Sequence, residues 1–222
     1  MKFKIINISF FILLLTSCSL VNNKNIAPGY LEAYRAINIL FSKEDNTLIT
    51  KDLIENIPYS SSTLRIGDGP LGLIILESKT SQKETWVSAD GVYFVIQSGR
   101  IIQTNGLRNN LVDYIAGRNN LLLSINKNSS IEFKAYYSYD KPKLINLEVN
   151  AVLRWKGTEE VELLNQTIVL RKIEEELSND FLGWKVVNYY WIDKNNFIWK
   201  SIQNISPKLP PIEIEVTKKP AA

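Results

Sequence analysis

The chain has 222 residues, 26 of them basic and 23 acidic, and its 45% hydrophobic content is enough for one packed core. It has no histidine and a single cysteine, Cys18. This excludes His-based triads, His metal ligands and imidazole switches, and leaves no free thiolate once Cys18 is consumed.

The N-terminus is an export signal. Lys2 and Lys4 precede an apolar run from Ile5 to Leu15, interrupted only by Asn7 and Ser9. As a helix this run spans roughly 16 Å, about half a bilayer core, so it is a signal segment and not a membrane span. The small residues Thr16 and Ser17 lead into Cys18. A cysteine at that place is where a bacterial lipoprotein is cleaved and acylated, first on the thiol and then on the freed amino group. Several acyl chains on one residue satisfy the requirement for more than one lipid signal in stable anchoring. Ser19 stands where an inner-membrane retention signal has Asp, which points to the periplasmic face of an outer membrane. Residues 1–17 are therefore the signal peptide and 18–27 a lipidated tether. Loss of Lys2 and Lys4 with the signal brings the charges close to balance, so the expected partners include neither nucleic acid nor a nucleotide.

Residues 28–206 read as a single β-rich domain. Its first element is an amphipathic helix from Pro28 to Ser42, with Tyr30, Tyr34, Ile37 and Phe41 at helical spacing, expected to cap an open end or face of a sheet. From about residue 57 the period changes to two. Strands are expected at Leu71–Ser78, Thr85–Ala89, Val92–Gln97 and Arg100–Asn105, the last two joined by a Ser98-Gly99 hairpin turn. Gly67-Asp68-Gly69-Pro70 reads as a tight turn, since no helix or Lys-Ser/Thr follows to make it a phosphate loop. Leu107–Leu123 reads as loops with one short strand or helical turn. Ile131–Tyr139 places Ile131, Phe133, Ala135, Tyr137 and Tyr139 on one face, and Leu144–Trp155 does the same for Leu147, Val149, Ala151, Leu153 and Trp155. Lys156-Gly157 is expected to turn the chain into Val161–Ile173. Gly183–Ile192 and Phe197–Ile202 form a last hairpin around Lys194-Asn195-Asn196. Residues 207–222 read as a tail in which Ile212–Val216 can add an edge strand. Short turns between strands and no alternating helices give a mainly β fold, an antiparallel meander.

Four segments, IPYSSSTLRIGDGPLGLIIL (57–76), WVSADGVYFVIQSGRIIQTNGL (86–107), LEVNAVLRWKGTEEVELL (147–164) and VVNYYWIDKNNFIWKSIQ (186–203), together with the Cys18 motif, resemble the YjbF/GfcB family of Gram-negative lipoproteins. The pairing of RIGDGP with WVSADG and GRIIQTNGL carries the resemblance. It implies an antiparallel sheet rolled into a half-barrel with an N-terminal helix, and a role in capsule or exopolysaccharide production. It brings no catalytic residues.

The motif residues have two readings. Arg65 with Asp68, and Asp90 with Arg100, can bind sugar hydroxyls as Arg–carboxylate pairs or simply pin turns. Asp68 and Asp90 can alternatively serve as an acid/base pair for glycoside chemistry, which requires a suitable separation. Trp86, Trp155, Trp184, Tyr189, Tyr190, Trp191 and Trp199 offer faces for stacking on sugars. Neighbours in Tyr189-Tyr190-Trp191 point to opposite sides of a strand, so only part of that group can line one groove. The expected surface for glycan or a partner export protein is therefore Arg65, Asp68, Trp86, Asp90, Arg100, Tyr190, Trp191 and Trp199. No cofactor and no metal are expected. The leading reading is a non-catalytic, lipid-anchored accessory protein of polysaccharide export or assembly. The alternatives are a carboxylate-dependent glycan-modifying enzyme and a pilot-like lipoprotein for an outer-membrane export component.

Overall fold

The computed structural model describes residues 49–117, 121–164 and 166–220. Cys18, the signal, the tether and the Pro28–Ser42 helix lie outside the described residues. A short helix comes first, α1 (Lys51–Asn56), capped by Thr50, whose Oγ1 accepts the Leu53 N–H at 3.3 Å.

Among the described residues, twelve antiparallel strands follow, with one helical turn between them. They are β1 (Ser61–Ile66), β2 (Gly72–Lys79), β3 (Glu84–Ser88), β4 (Tyr93–Gln97), β5 (Arg100–Asn105), β6 (Leu111–Ala116), α2 (Leu121–Ser124), β7 (Ser130–Asp140), β8 (Lys143–Leu163), β9 (Gln166–Asn179), β10 (Trp184–Ile192), β11 (Ile198–Gln203) and β12 (Ile212–Lys218). The sheet order is β5-β4-β3-β2-β1-β12-β11-β10-β9-β8-β7-β6. Each strand therefore lies beside its sequence neighbours, and β1 pairs with β12 to join the chain's two halves. The two ends of this order, β5 and β6, are consecutive in sequence, and the Leu111 N–H donates to Thr104 Oγ1 at 3.0 Å across that seam. The result is a nearly closed barrel-like sheet. Closure leaves little unpaired strand edge for pairing with other chains.

The period-two alternation fills the barrel. Leu64, Ile74, Trp86, Phe94, Ala135, Tyr137, Tyr139, Val149, Ala151, Leu177 and Trp184 form one continuous buried cluster. Leu153, Ile173, Tyr190 and Ile192 form a second with Leu122 and Ile125. Side chains thus occupy much of the interior. The opposite face carries ion pairs across strands, including Lys134–Glu148, Arg154–Glu176, Lys185–Glu176 and Lys200–Glu213.

Three sequence expectations need correction. The first concerns Lys156-Gly157, which is a bulge and not a turn. The β8–β9 register shifts between Trp155 and Gly157 and then continues to Leu163↔Gln166. Gly157 has φ +112, a conformation open to glycine, so the residue that suggested a turn instead bends a long hairpin. The second concerns 207–222. Ile212–Lys218 is neither tail nor edge; it is the strand between β1 and β11, and its Ile212 and Ile214 are buried in the core. The pattern of single isoleucines between glutamates hid it, because the glutamates face outward to Lys200. The third concerns Leu107–Leu123, which yields both a strand, β6, and a helical turn, α2.

The bulge has a structural consequence. Beyond it, the β8–β9 hairpin forms an arm that folds over the outer face of the barrel. The Leu164 N–H at its end donates to Glu215 Oε1 on β12 at 2.7 Å. Glu159 on the arm accepts from Trp191 Nε1 at 2.5 Å and pairs with Lys172 at 3.3 Å. Leu163 and Leu170 are buried as a result.

A candidate saccharide cavity at the barrel mouth

Strand direction sorts the candidate residues between the two ends of the barrel. At one end, Gly69, Pro70 and Asp90 line an apolar cavity of about 250 Å³ with Leu64, Ile74 and Phe94. Asp68 is exposed in the β1–β2 turn, where the Gly69 N–H donates to Ile66 O at 3.0 Å. Asp90 accepts from the Ser88 hydroxyl, and Ser88 Oγ in turn accepts the Val92 N–H at 3.0 Å. Asp90 thus pins the β3–β4 turn.

Neither expected Arg–carboxylate pair forms among the described residues. Arg65 points outward from β1, opposite Glu213 on β12, while Asp68 lies past the strand end. Asp90 and Arg100 sit at opposite ends of β4, roughly 16 Å apart along a five-residue strand. Arg100 instead points inward, where its Nη1 lies 2.6 Å from Glu175 Oε1. The approach is out of line for a hydrogen bond, so the contact is one of charge. Glu175 Oε2 accepts from Asn188 Nδ2 at 3.0 Å and from the Tyr190 hydroxyl at 3.1 Å. The guanidinium also lies over the rings of Tyr114, Phe133 and Tyr190. Burial alone would weaken Arg100's hold on its proton, but Glu175 overrides it and the group stays charged. Burial pushes the Tyr114 phenol up to about 12 despite Arg100, and raises Tyr137 and Tyr190 as well. Arg100 and Tyr190 are therefore interior residues and not parts of a surface.

The aromatic candidates divide in the same way. Trp184 and Tyr190 are in the core. Tyr189 and Trp191 face outward with ring centroids 6.1 Å apart, and Lys172 Nζ lies 5.3 and 5.1 Å from the two rings. The arm leaves Trp191 only 7% exposed, so it is not an open platform. Trp155 lies under Arg171.

Two candidates do converge. Trp86 and Trp199 line a cavity of about 240 Å³ at the other end of the barrel. Its rim is the β2–β3 turn (Thr80, Ser81, Gln82), the β4–β5 turn (Ser98, Gly99) and the β10–β11 turn (Asn196, Phe197). Its inner wall includes Ser62, Ser201, Ile214 and Val216. The tryptophans are held by their indole N–H groups: Trp86 donates to Glu84 Oε2 at 3.2 Å and Trp199 to Asp193 Oδ2 at 3.0 Å. Asp193 organises the whole β10–β11 turn. Its Oδ1 accepts the Asn195 and Phe197 N–H groups at 2.8 and 2.9 Å, and Lys219 reaches its Oδ2 at 3.2 Å. Burial alone would raise this carboxyl, but those hydrogen bonds, from Phe197, Trp199, Lys219 and Asn195, hold it below the usual aspartate range. Lys219 also lies 4.1 Å from the Phe197 ring centre and 4.8 Å from that of Trp199. Sequence reasoning missed Ser62, Phe197, Asp193 and Lys219. Phe197, in the turn just before β11, meets the Trp199 ring edge to face at 5.2 Å, and the register shift at the start of β11 hides that meeting from period-two reasoning; the role of Lys219 depends on β12, whose residues read as a tail in the sequence.

Comparison with known proteins agrees with this fold. Escherichia coli K12 supplies two relatives. The uncharacterized lipoprotein YjbF is 26% identical over 178 residues, covering 77% of this chain and 80% of that protein. The uncharacterized lipoprotein GfcB is 23% identical over 215 residues, covering 95% and 96%. The crystal structure of the hypothetical lipoprotein YmcC from E. coli K12 superposes with a TM-score of 0.68 at 22% identity, covering 86% of this chain and 96% of that one. That likeness shows a shared fold. Residues 34–217 match the family described as "Group 4 capsule polysaccharide lipoprotein gfcB, YjbF", and the chain belongs to that family.

Proposed function

We propose that this protein is a lipid-anchored accessory component of capsule or exopolysaccharide assembly or export, working by binding and not by catalysis. The family match over residues 34–217 carries the reading, because the family's description names both capsule polysaccharide and a lipoprotein. Cys18, after its apolar run and small residues, supplies the anchor site, and Ser19 favours the periplasmic face of the outer membrane. The absence of histidine from the sequence, and the burial of the Arg100–Glu175 pair inside the barrel, favour a binding role. So does the engagement of Asp90 in its own turn.

The test is removal of the gene from its native strain, with surface polysaccharide measured chemically per cell. A reduced amount, restored by the gene in trans, is the expected result. An unchanged amount overturns the role. Asp68→Asn and Asp90→Asn, each at normal abundance, should leave the polysaccharide unchanged, whereas loss at normal abundance would favour the enzymatic alternative.

A further inference from the structure

The barrel-mouth cavity contains an unsatisfied group. Ser62 is 1% exposed and its Oγ has no hydrogen-bond partner among the described residues, although the neighbouring Ser61 hydroxyl is paired with Thr217 at 2.9 Å. Buried hydroxyls are nearly always paired, and an orphan on a cavity wall is a free donor and acceptor for whatever enters. Around it the wall is aromatic and aliphatic, from Trp86, Phe197, Trp199 and Ile198, while the rim carries the polar side chains of Thr80, Ser81 and Gln82. Largely apolar walls, a polar and charged rim that includes Lys79 and Glu84, and the unpaired Ser62 hydroxyl match a sugar ring, which has apolar C–H faces and a polar equator. An acyl chain would leave Ser62 unpaired, and a nucleotide would find no phosphate cradle in these turns. The cavity, about 240 Å³, is below the usual range for drug-sized ligands and fits a single ring better than a folded oligomer. The tryptophan N–H groups are already bound to Glu84 and Asp193, so the rings are set before any ligand arrives.

We propose that this mouth is a saccharide site that takes one sugar ring of a polysaccharide against Phe197 and Trp199, above the buried Trp86, with Ser62 bonding a ring hydroxyl. The inference rests on the polysaccharide role proposed above and assigns that role to a place on the molecule.

The test titrates the full chain, purified in detergent, with oligosaccharides from partial hydrolysis of the strain's own capsular polysaccharide. A separate arm uses core oligosaccharide from its lipopolysaccharide. Heat of binding and tryptophan fluorescence are read together. Saturable binding of capsule fragments is expected. Trp199→Ala should weaken it about tenfold or more, and Ser62→Ala roughly three- to tenfold. Ser62→Ala should also keep or raise the thermal midpoint, since it removes an unpaired buried hydroxyl; a packing role alone would lower the midpoint and spare binding. Trp155→Ala, on a ring outside the cavity lining, should bind normally. No binding in either arm, or binding that both cavity variants leave intact, overturns the site. Binding of core oligosaccharide alone supports the saccharide chemistry and overturns the capsule source. A normal capsule after gene deletion, with fragments still bound, refutes the role and not the site. A lost capsule with no fragment bound refutes the site and not the role.

Discussion

Arg100 of β5 and Glu175 of β9 meet inside the barrel at 2.6 Å, joining two strands that lie far apart in the sheet order. Both are buried, so removing one partner strands the other's charge in a medium that solvates it poorly. Arg100→Met or Glu175→Gln should each cost about 3–5 kcal/mol of unfolding free energy in urea. The double variant should fall short of the sum by roughly 1–3 kcal/mol. Additive losses would mean that the two groups act independently.

The β10–β11 turn should respond to acid through Asp193. Its carboxyl is held below the usual aspartate range, so the folded state favours the charged form. The stabilisation is complete above about pH 4 and is lost as the pH falls through the lowered folded value. Asp193→Asn should cost roughly 1–2 kcal/mol at pH 7, because its amide would face the Trp199 and Lys219 donors. Unfolding measured from pH 7 down to pH 2 should show the gap between wild type and variant closing at the acid end. A gap independent of pH would remove the charge from the explanation.

Gly99 should be a sensitive position in the mouth. It has φ +77, and a Cβ there would lie 2.0 Å from Ile198 Cδ1. Its carbonyl also accepts from Gln203 Nε2 at 2.9 Å, which ties the turn to the interior. Gly99→Ala should cost about 2 kcal/mol or more, from strain and collision together. In that background Ile198→Ala should cost much less than it does in the wild type, because it relieves the collision. Equal costs of Ile198→Ala in the two backgrounds would contradict the contact.

The arm depends on a few anchors. Glu159→Ala removes the acceptor for Trp191 Nε1 and the partner of Lys172, while Leu164 keeps its bond to Glu215. Amide exchange within Val161–Leu170 should accelerate, with β1–β5 unaffected. Unchanged protection of the arm would show that Leu163 and Leu170 hold it by packing alone.

The fold was legible where one face is apolar. Ile131 through Tyr139 and Leu147 through Trp155 announce their strands because every second residue enters the core. Residues 212–218 were not legible, because a strand in the middle of a sheet looks like an edge when its outer residues are glutamates matched to a lysine on β11. Gly157 misled for a related reason: glycine marks bulges as well as turns, and only the continued pairing of Val161 with Ile168 separates the two. The site was half legible. Trp86 and Trp199 carry an aromatic signal, but their convergence depends on barrel closure. Arg100 and Tyr190 looked like surface chemistry because nothing local reports that Glu175 waits across the interior.

A polysaccharide role exercised from a lipid anchor is decided by surface polysaccharide per cell in a gene-deleted strain. That strain is complemented with either the intact chain or Cys18→Ser at matched abundance. The intact chain should restore the polysaccharide, and Cys18→Ser, unable to take the diacylglycerol, should restore little or none of it. Normal polysaccharide in the deleted strain would overturn the role, and full restoration by Cys18→Ser would overturn the need for the anchor.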